Sequence, residues 1–341
     1  MNKLRIAYFG TPQFSADFLK KLLTDKKLSV EVVFVVTQPD RRVGRKQILT
    51  PSPVKVVAEK YNIPVFDNIV GVGSSDPNNG RDNPRVVPTA KMGERTSPLR
   101  GIDLAVLYAY GAILPPEVLE APKRGFINIH PSLLPRYRGV SPTAFPLILG
   151  DKLTGISLIK LDNKIDHGPL YDQAKLTIDP KINRSLLEGQ LTSLAFAHFS
   201  AIITRWGSIH LAEQDHPNAT YTLKLKKNDG FLSFDLVQRL LTHEALIPAD
   251  LPQLISKYCE KNNAPYPAPS PLLFYNLFRG LSPWPGIWTT ILVKGERKRL
   301  KITDVSFENN HFSISKVQLE GKKEVDFETF QKAYTAFKIR L

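Results

Sequence analysis

Cysteine is almost absent from this chain: Cys259 is the single one in 341 residues. No intrachain disulfide framework can hold the fold, and a reducing compartment is expected. Long apolar runs are also missing. The longest uncharged apolar stretch, residues 104–116, is too short to cross a bilayer and ends in two prolines. The first ten residues lack the apolar core and cleavage site of a signal peptide and read as a strand. A cytoplasmic chain without a membrane partner is expected. The seven histidines are scattered, and no His-x-x-x-His, Cys-x-x-Cys or carboxylate cluster occurs. No metal is therefore expected. No Gly-x-Ser-x-Gly appears, which removes the usual serine-hydrolase signal. Gly10-Thr11-Pro12 stands where a dinucleotide-binding fold would carry its glycine fingerprint. Pro12 lacks an N–H for a pyrophosphate, so the segment reads as a tight strand-to-helix turn. There is no internal repeat.

What is present is a globular composition, 42% hydrophobic and 23% charged, with a net charge of +14. A field of that sign draws polyanions, and a polynucleotide is the expected partner. The charge is clustered. Arg41, Arg42, Arg45 and Lys46 share one glycine-containing loop; Lys224, Lys226 and Lys227 form a second group. Lys294, Arg297, Lys298, Arg299 and Lys301 form a third, opposed only by Glu296.

The N-terminal half alternates strand-like runs (residues 4–9, 29–37, 64–66, 103–109, 126–129) with helical segments. One helix opens at Pro12, and Ser52-Pro53 opens another through Tyr61. Residues 183–206 carry the strongest helical signal, with Leu187, Leu191, Leu194, His198 and Ile202 three and four apart. This alternation predicts an α/β fold with a mostly parallel sheet and helices on both faces. Beyond a polar stretch, short β-patterned runs at residues 230–234, 288–293, 299–307 and 312–319 suggest a small barrel or sandwich. The expected division is a catalytic domain over 1–206, a linker over 207–220 and a second domain over 221–341. Within the first, residues 67–100 read as a mobile insertion. Residues 248–271 are proline-rich, with a middle that can make a short helix.

The chemically informative region runs from Gly125 to Gly139. Asn128 and His130 are two apart on a strand, so both side chains point to one side. They lie at the carboxyl end of that strand, where open parallel sheets bind ligands. An amide beside an imidazole makes a pair of oxyanion donors, and the imidazole can also move a proton near neutral pH. Asp166, in the loop 161–169, is a carboxylate that could orient His130. Asp162 is the other possible carboxylate, and His167 is a rival acid or base or else a turn residue.

The run Asn128-Ile129-His130-Pro131-Ser132-Leu133-Leu134-Pro135, followed by Asp166, resembles the signature of the folate-dependent formyltransferases. The resemblance implies Asn128, His130 and Asp166 as the transfer residues. It also implies 10-formyltetrahydrofolate as a co-substrate lying near Ser132, Leu133, Leu134, Pro135, Tyr110 and Gly111. Further segments resemble the branch of that family acting on initiator methionyl-tRNA. They are residues 9–14, 37–45, 50–55, 109–115, 283–285 and 320–323. Pro131 stands where many members of that branch carry Gly. The branch implies a Rossmann-like first domain, a C-terminal OB-like β-barrel domain that binds tRNA, and an Arg45 loop that enters the acceptor arm. Arg41, Arg42, Arg45, Lys46, Lys224, Lys298 and Arg299 are the implied tRNA-binding residues, in a monomer. Two other readings stay open: a formyltransferase acting on an amino sugar or glycinamide ribonucleotide, and a catalytically inactive tRNA-binding protein.

Overall fold

The computed structural model describes residues 3–44, 46–67 and 99–334. The chain forms two compact units, each assembled from separated stretches. The first holds Met1–Pro135, Gly155–Lys175 and Gly189–Ala219; the second holds Arg136–Thr154, Leu176–Glu188 and Thr220–Leu341.

In chain order the first elements are β1 (Leu4–Gly10), α1 (Gln13–Thr24), β2 (Val30–Val36), β3 (Arg41–Val43) and β4 (Ile48–Thr50). Next come α2 (Pro53–Lys60), β5 (Val65–Phe66), β6 (Leu104–Tyr108), α3 (Pro116–Leu119) and β7 (Phe126–His130). Then follow α4 (Ala144–Ile148), β8 (Leu153–Lys160), β9 (Leu170–Thr177) and α5 (Arg184–Thr204). A seven-stranded sheet has the order β5-β2-β1-β6-β7-β8-β9. Its first five strands are parallel, and β8 runs antiparallel to β7. The order reverses between β1 and β6, so a crevice opens at their carboxyl ends.

Strand alternation buries both faces of this sheet. Ala7, Phe9, Phe34, Val36 and Ala105 point to one face, where Tyr110, Leu114 and the α3 residues Val118 and Leu119 cover them. Tyr8 and Tyr108 point to the other, against Phe18 of α1. Phe196 and Phe199 of α5 pack edge-on against the same Phe18. Both buried tyrosine hydroxyls find partners, as a buried O–H must. Tyr8 bonds Ser15 and Tyr108 bonds Thr192 of α5. Helix α5 has the length and hydropathy of a membrane span, but these contacts make its first-unit part a core helix. Its buried apolar residues are Leu187, Leu191, Ala195, Phe199 and Ile202, while Leu194 and His198 are half-buried. The stripe keeps the expected mix of steps but takes its step of three at the end of the helix, and His198 turns aside to pair with Asp172 at 2.7 Å.

Local chemistry sets the element ends. Ser52 caps α2 by accepting from the Lys55 N–H at 3.0 Å, with Pro53 in the first turn. Gly10 has no room for a side chain, since a Cβ there would collide with Ser15 Oγ and meet the Tyr108 carbonyl at 3.0 Å. The turn after β1 is thus shaped by packing against α1. Where the sequence read a basic loop from Arg41 to Lys46, β3 pairs antiparallel with β4 as a hairpin. It presents Val43, Ile48 and Leu49 to solvent together with Arg41 and Arg42. Arg45 and nearly all of the expected insertion, residues 67–100, lie outside the described residues; Leu99, at its end, is buried in the core.

The second unit contains α6 (Phe234–Thr242), α7 (Gln253–Asn262), α8 (Pro271–Leu281), β10 (Ile287–Val293), β11 (Glu296–Glu308), β12 (His311–Leu319), β13 (Glu324–Asp326) and α9 (Phe327–Ala333). The four strands make one antiparallel sheet in the order β10-β11-β12-β13. Residues 230–234, expected as a strand, contribute only an isolated bridge between Phe231 and Trp288 before α6 begins. Ser233 caps α6 there by accepting from the Leu236 N–H at 3.1 Å, so a polar capping residue ends the β pattern. The proline-rich residues 248–271 enclose α7, whose Leu254, Ile255, Tyr258 and Cys259 enter the core.

Gly10→Ala tests the packing account of the first turn. The overpacked variant is expected to lose about 1–3 kcal/mol in urea unfolding, and adding Ser15→Ala should return part of that loss. An unchanged midpoint for the single variant contradicts the account.

Candidate active site

Strand β7 carries Asn128 and His130 on one side of the backbone, and both are buried, at 6% and 4% exposure. The loop after β8 brings Asp166 to them. Asn128 Nδ2 donates to Asp166 Oδ1 at 3.0 Å, and His130 Nδ1 lies 3.4 Å from the same oxygen. One carboxylate oxygen therefore serves both donors. Desolvated groups at such distances interact far more strongly than they would in water.

The open choice between carboxylates is resolved by the same loop. Asp162 pairs with His167, Oδ2 to Nδ1 at 2.7 Å, and also accepts from the Lys164 N–H. His167 is thus held by Asp162, leaving Asp166 as the carboxylate of Asn128 and His130. Asp166 reaches this position with φ at 47°, in the left-handed region that a non-glycine residue enters only at a cost. Two residues on, Gly168 passes so close to strand β8 that a Cβ would strike the Lys160 carbonyl. Gln214 braces the loop, its Nε2 donating to the carbonyls of Asp166 at 2.9 Å and Gly168 at 2.7 Å.

Ser132, Leu133, Leu134 and Pro135 form the loop leaving β7. One hydroxyl organises it. Ser157 Oγ donates to the Ser132 carbonyl at 2.7 Å and accepts from the Leu134 N–H at 3.0 Å. Its third bond comes from Gln173 Nε2 at 2.9 Å, which also donates to the Leu134 carbonyl. A hydroxyl has one donor and two acceptor sites, so that of Ser157 is saturated. Leu133 lies against Gly155, where a Cβ would meet its Cδ2 at 2.5 Å. Tyr110 and Gly111 follow β6, and Thr11 Oγ1 ties this turn to the turn after β1 through the Tyr110 carbonyl at 2.9 Å. Burial, with a smaller contribution from the Asp67 carboxylate, pushes the Tyr110 hydroxyl up to about 12. That hydroxyl remains protonated at neutral pH.

The candidate residues thus fall into three places. Asn128, His130 and Asp166 converge, and the 132–135 and 110–111 loops sit at the carboxyl ends of the neighbouring strands β7 and β6. The basic candidates are elsewhere: Arg41, Arg42 and Lys46 on the exposed hairpin, Lys224 exposed in the second unit, and Lys298 and Arg299 on β11. Sequence reasoning missed Ser157, Gln173 and Gln214. Ser157 and Gln173 look like ordinary strand residues, and Gln214 sits in a polar stretch that read as a linker. Only contacts across the fold mark them.

Fold and site together place an amide, an imidazole and a carboxylate against one another at the carboxyl end of a strand in an α/β sheet, groups of the kind an acyl transferase uses. The "Formyl transferase" family model matches residues 4–202. A relative from Geobacter metallireducens described as methionyl-tRNA formyltransferase is 31% identical over 97% of this chain and 96% of its own length. One of the same description from Caldicellulosiruptor saccharolyticus is 33% identical over 88% of this chain and 79% of its own. Among solved structures, a 4-N formyltransferase from Francisella tularensis has a TM-score of 0.53 at 14% identity, covering 89% of this chain and 98% of that one. The sugar 3N-formyl transferase WlaRD, solved in the presence of dTDP and 5-N-formyl-THF, has a TM-score of 0.52 at 16% identity, over 95% and 100% of the two chains. At that identity the likeness speaks for the fold alone. The chain belongs to the formyl transferase family.

Removing one oxyanion donor typically costs ~10²–10³ in turnover. Asn128→Ala and His130→Ala are each expected to lose formyl transfer by that factor while keeping the far-UV spectrum and melting behaviour of a folded protein. Near-normal turnover in either would remove that residue from the site.

Proposed function

We propose that this enzyme transfers the formyl group of 10-formyltetrahydrofolate to the free α-amine of methionyl initiator tRNA. The reading supplies translation initiation with its formylated acceptor, and it carries with it a cytoplasmic, monomeric enzyme. The acceptor rests on one observation above all: similarity along 97% of the chain to a relative described as methionyl-tRNA formyltransferase. The chemistry rests on the convergence of Asn128, His130 and Asp166.

The residues present fit a folate-type donor. Leu134 and Tyr110 are buried and apolar in their bodies, and the Ser132–Pro135 backbone is held in advance by Ser157 and Gln173. A preformed, mostly apolar wall with a few fixed polar groups is what a small-molecule site requires. When bound, the folate supplies the formyl group. Asn128 and protonated His130 would stabilise the negative charge that develops on the carbonyl oxygen during attack by the amine. Asn128 spends one amide N–H on Asp166, and the amide carries a second. Asp166 would hold His130 in orientation and relay the proton released by the amine toward the folate nitrogen, whose bond to the formyl carbon breaks as the new amide forms. Asn128 and His130 are buried and the Asp166 side chain is only 12% exposed, which limits screening of these interactions by water.

The second unit would engage the tRNA through one face of its sheet. Cross-strand pairing sets Trp288 opposite Lys301, Thr290 opposite Arg299 and Leu292 opposite Arg297. Ile287, Thr289, Ile291, Leu300 and Ile302 are buried, so the paired cations share the outward face with Trp288 and Leu292. Lys298 pairs with Ile291 on the opposite side and forms an ion pair with Glu296 at 3.2 Å. Arg297, Arg299 and Lys301 are therefore the stronger phosphate contacts in this reading. Arg41, Arg42 and Lys46 on the hairpin, Arg45 from the sequence, and Lys224 would supply the others.

Transfer from formyl-labelled folate should be far faster to charged initiator tRNA than to an amino sugar or glycinamide ribonucleotide. A small amine as the better acceptor would overturn the acceptor assignment, and tight tRNA binding with no turnover would favour the inactive-binder reading. Converting Arg297, Arg299 and Lys301 to Gln should lower the salt dependence of tRNA affinity by about 3 in the log–log slope. An unchanged slope would exclude this face.

A further inference from the structure

The chain after α5 returns across the loop that carries Asp166. Ala212 pairs with Leu170 through two backbone hydrogen bonds, 2.7 Å and 3.0 Å, at the start of β9. Gln214 is buried at 5% exposure, and its single amide nitrogen donates to both the Asp166 and the Gly168 carbonyls. The His216 ring stacks on His167, centroids 4.0 Å apart and planes within 3°. Three successive alternate residues thus touch three points of one loop: its end, its middle and its outer ring. The loop also has ties of its own, Asp162 to His167 and to the Lys164 N–H, and Asp166 to Asn128. It holds a left-handed Asp166 and a glycine wedged against β8, both of which a relaxed loop would abandon.

We infer that residues 212–216 are a strap that sets the Asp166 carboxylate against Asn128 and His130, with Gln214 as the positioning residue of the reaction. The inference rests on the formyl-transfer reading of this site. Gln214 acts on the backbone of Asp166. Its two donors satisfy carbonyls on either side of His167, which fixes the peptide planes there and so the direction in which the Asp166 side chain leaves the backbone. Without them two carbonyls lose their buried partner, and the loop gains conformations in which Oδ1 leaves its shared position between the amide and the imidazole. Ground-state binding makes no use of that oxygen. The loss should therefore appear in turnover and leave affinity for folate and tRNA nearly intact.

Gln214→Met keeps the length and volume of the side chain and removes both donors. Its kcat for formyl transfer is expected to fall by about 10–100-fold, as misplacement of a reacting group by an ångström does, with both KM values changed by less than about twofold. In an Asp166→Ala background the same substitution should have almost no further effect, because the group it positions is gone. Gln214→Asn, whose shorter amide cannot span both carbonyls, carries the same expectation if the Met variant does not fold. A normal kcat in the folded variant overturns the inference, and so does an undiminished loss in the Asp166→Ala background. Full activity of Asp166→Ala alone would instead bring down the reading of the site, and the strap with it.

Discussion

One oxygen atom, Asp166 Oδ1, is the point on which the site turns. It accepts from the Asn128 amide and faces the His130 imidazole, and those two residues come from a strand whose position the whole parallel sheet decides. Strand β7 is held in place by β6 on one side and by the antiparallel β8 on the other. The loop leaving β8 then has to double back to deliver its carboxylate. That requirement explains the left-handed Asp166, the missing side chain at Gly168 and the buried Gln214. A carboxylate in an extended loop would stay in solvent, where its effect on an imidazole is screened.

A second constraint is the satisfaction of polar groups inside an apolar scaffold. The hydroxyls of Tyr8 and Tyr108 are tied to Ser15 and Thr192, and that of Ser157 to three partners in the 132–135 and 173 backbone and side chains. Each of these bonds does two things: it removes the cost of a buried polar atom and it selects one geometry for the segment that carries it. At Ser157 the selected segment is a loop bordering the site. At Tyr108 it is the packing of α5 on the sheet that supports the site from behind.

Much of this architecture could be read from residue patterns. The strands of the parallel sheet, the capped start of α2 at Ser52 and the long helix α5 follow from periodicity and capping chemistry, which act over a few residues. The pairing of Asn128 with His130 follows from the two-residue strand period alone. Readings failed where a contact distant in sequence outweighed the local pattern. The run from Arg41 to Lys46, with glycine and four cations, looked like a loop, but its first residues pair with Ile48–Thr50 as a hairpin. Residues 230–234 looked like a strand, yet the Ser233 cap starts α6 instead. The C-terminal β pattern does hold, as a four-stranded antiparallel sheet packed with α8, in which strand alternation puts Lys298 on the side opposite Arg299.

The sequence by itself pointed to the class of chemistry: an amide and an imidazole on one strand with the loop that follows, which are short-range features, and a carboxylate in a later loop. Residue types by themselves left both Asp162 and Asp166 open, and the family resemblance favoured Asp166. The tertiary structure brings Asp166 to Asn128 and His130, in a loop whose carbonyls Gln214 bonds from 48 residues beyond Asp166. The physical reason is that a loop's direction depends on hydrogen-bond partners supplied by segments that the fold brings to it, and those partners leave no mark on its own residues.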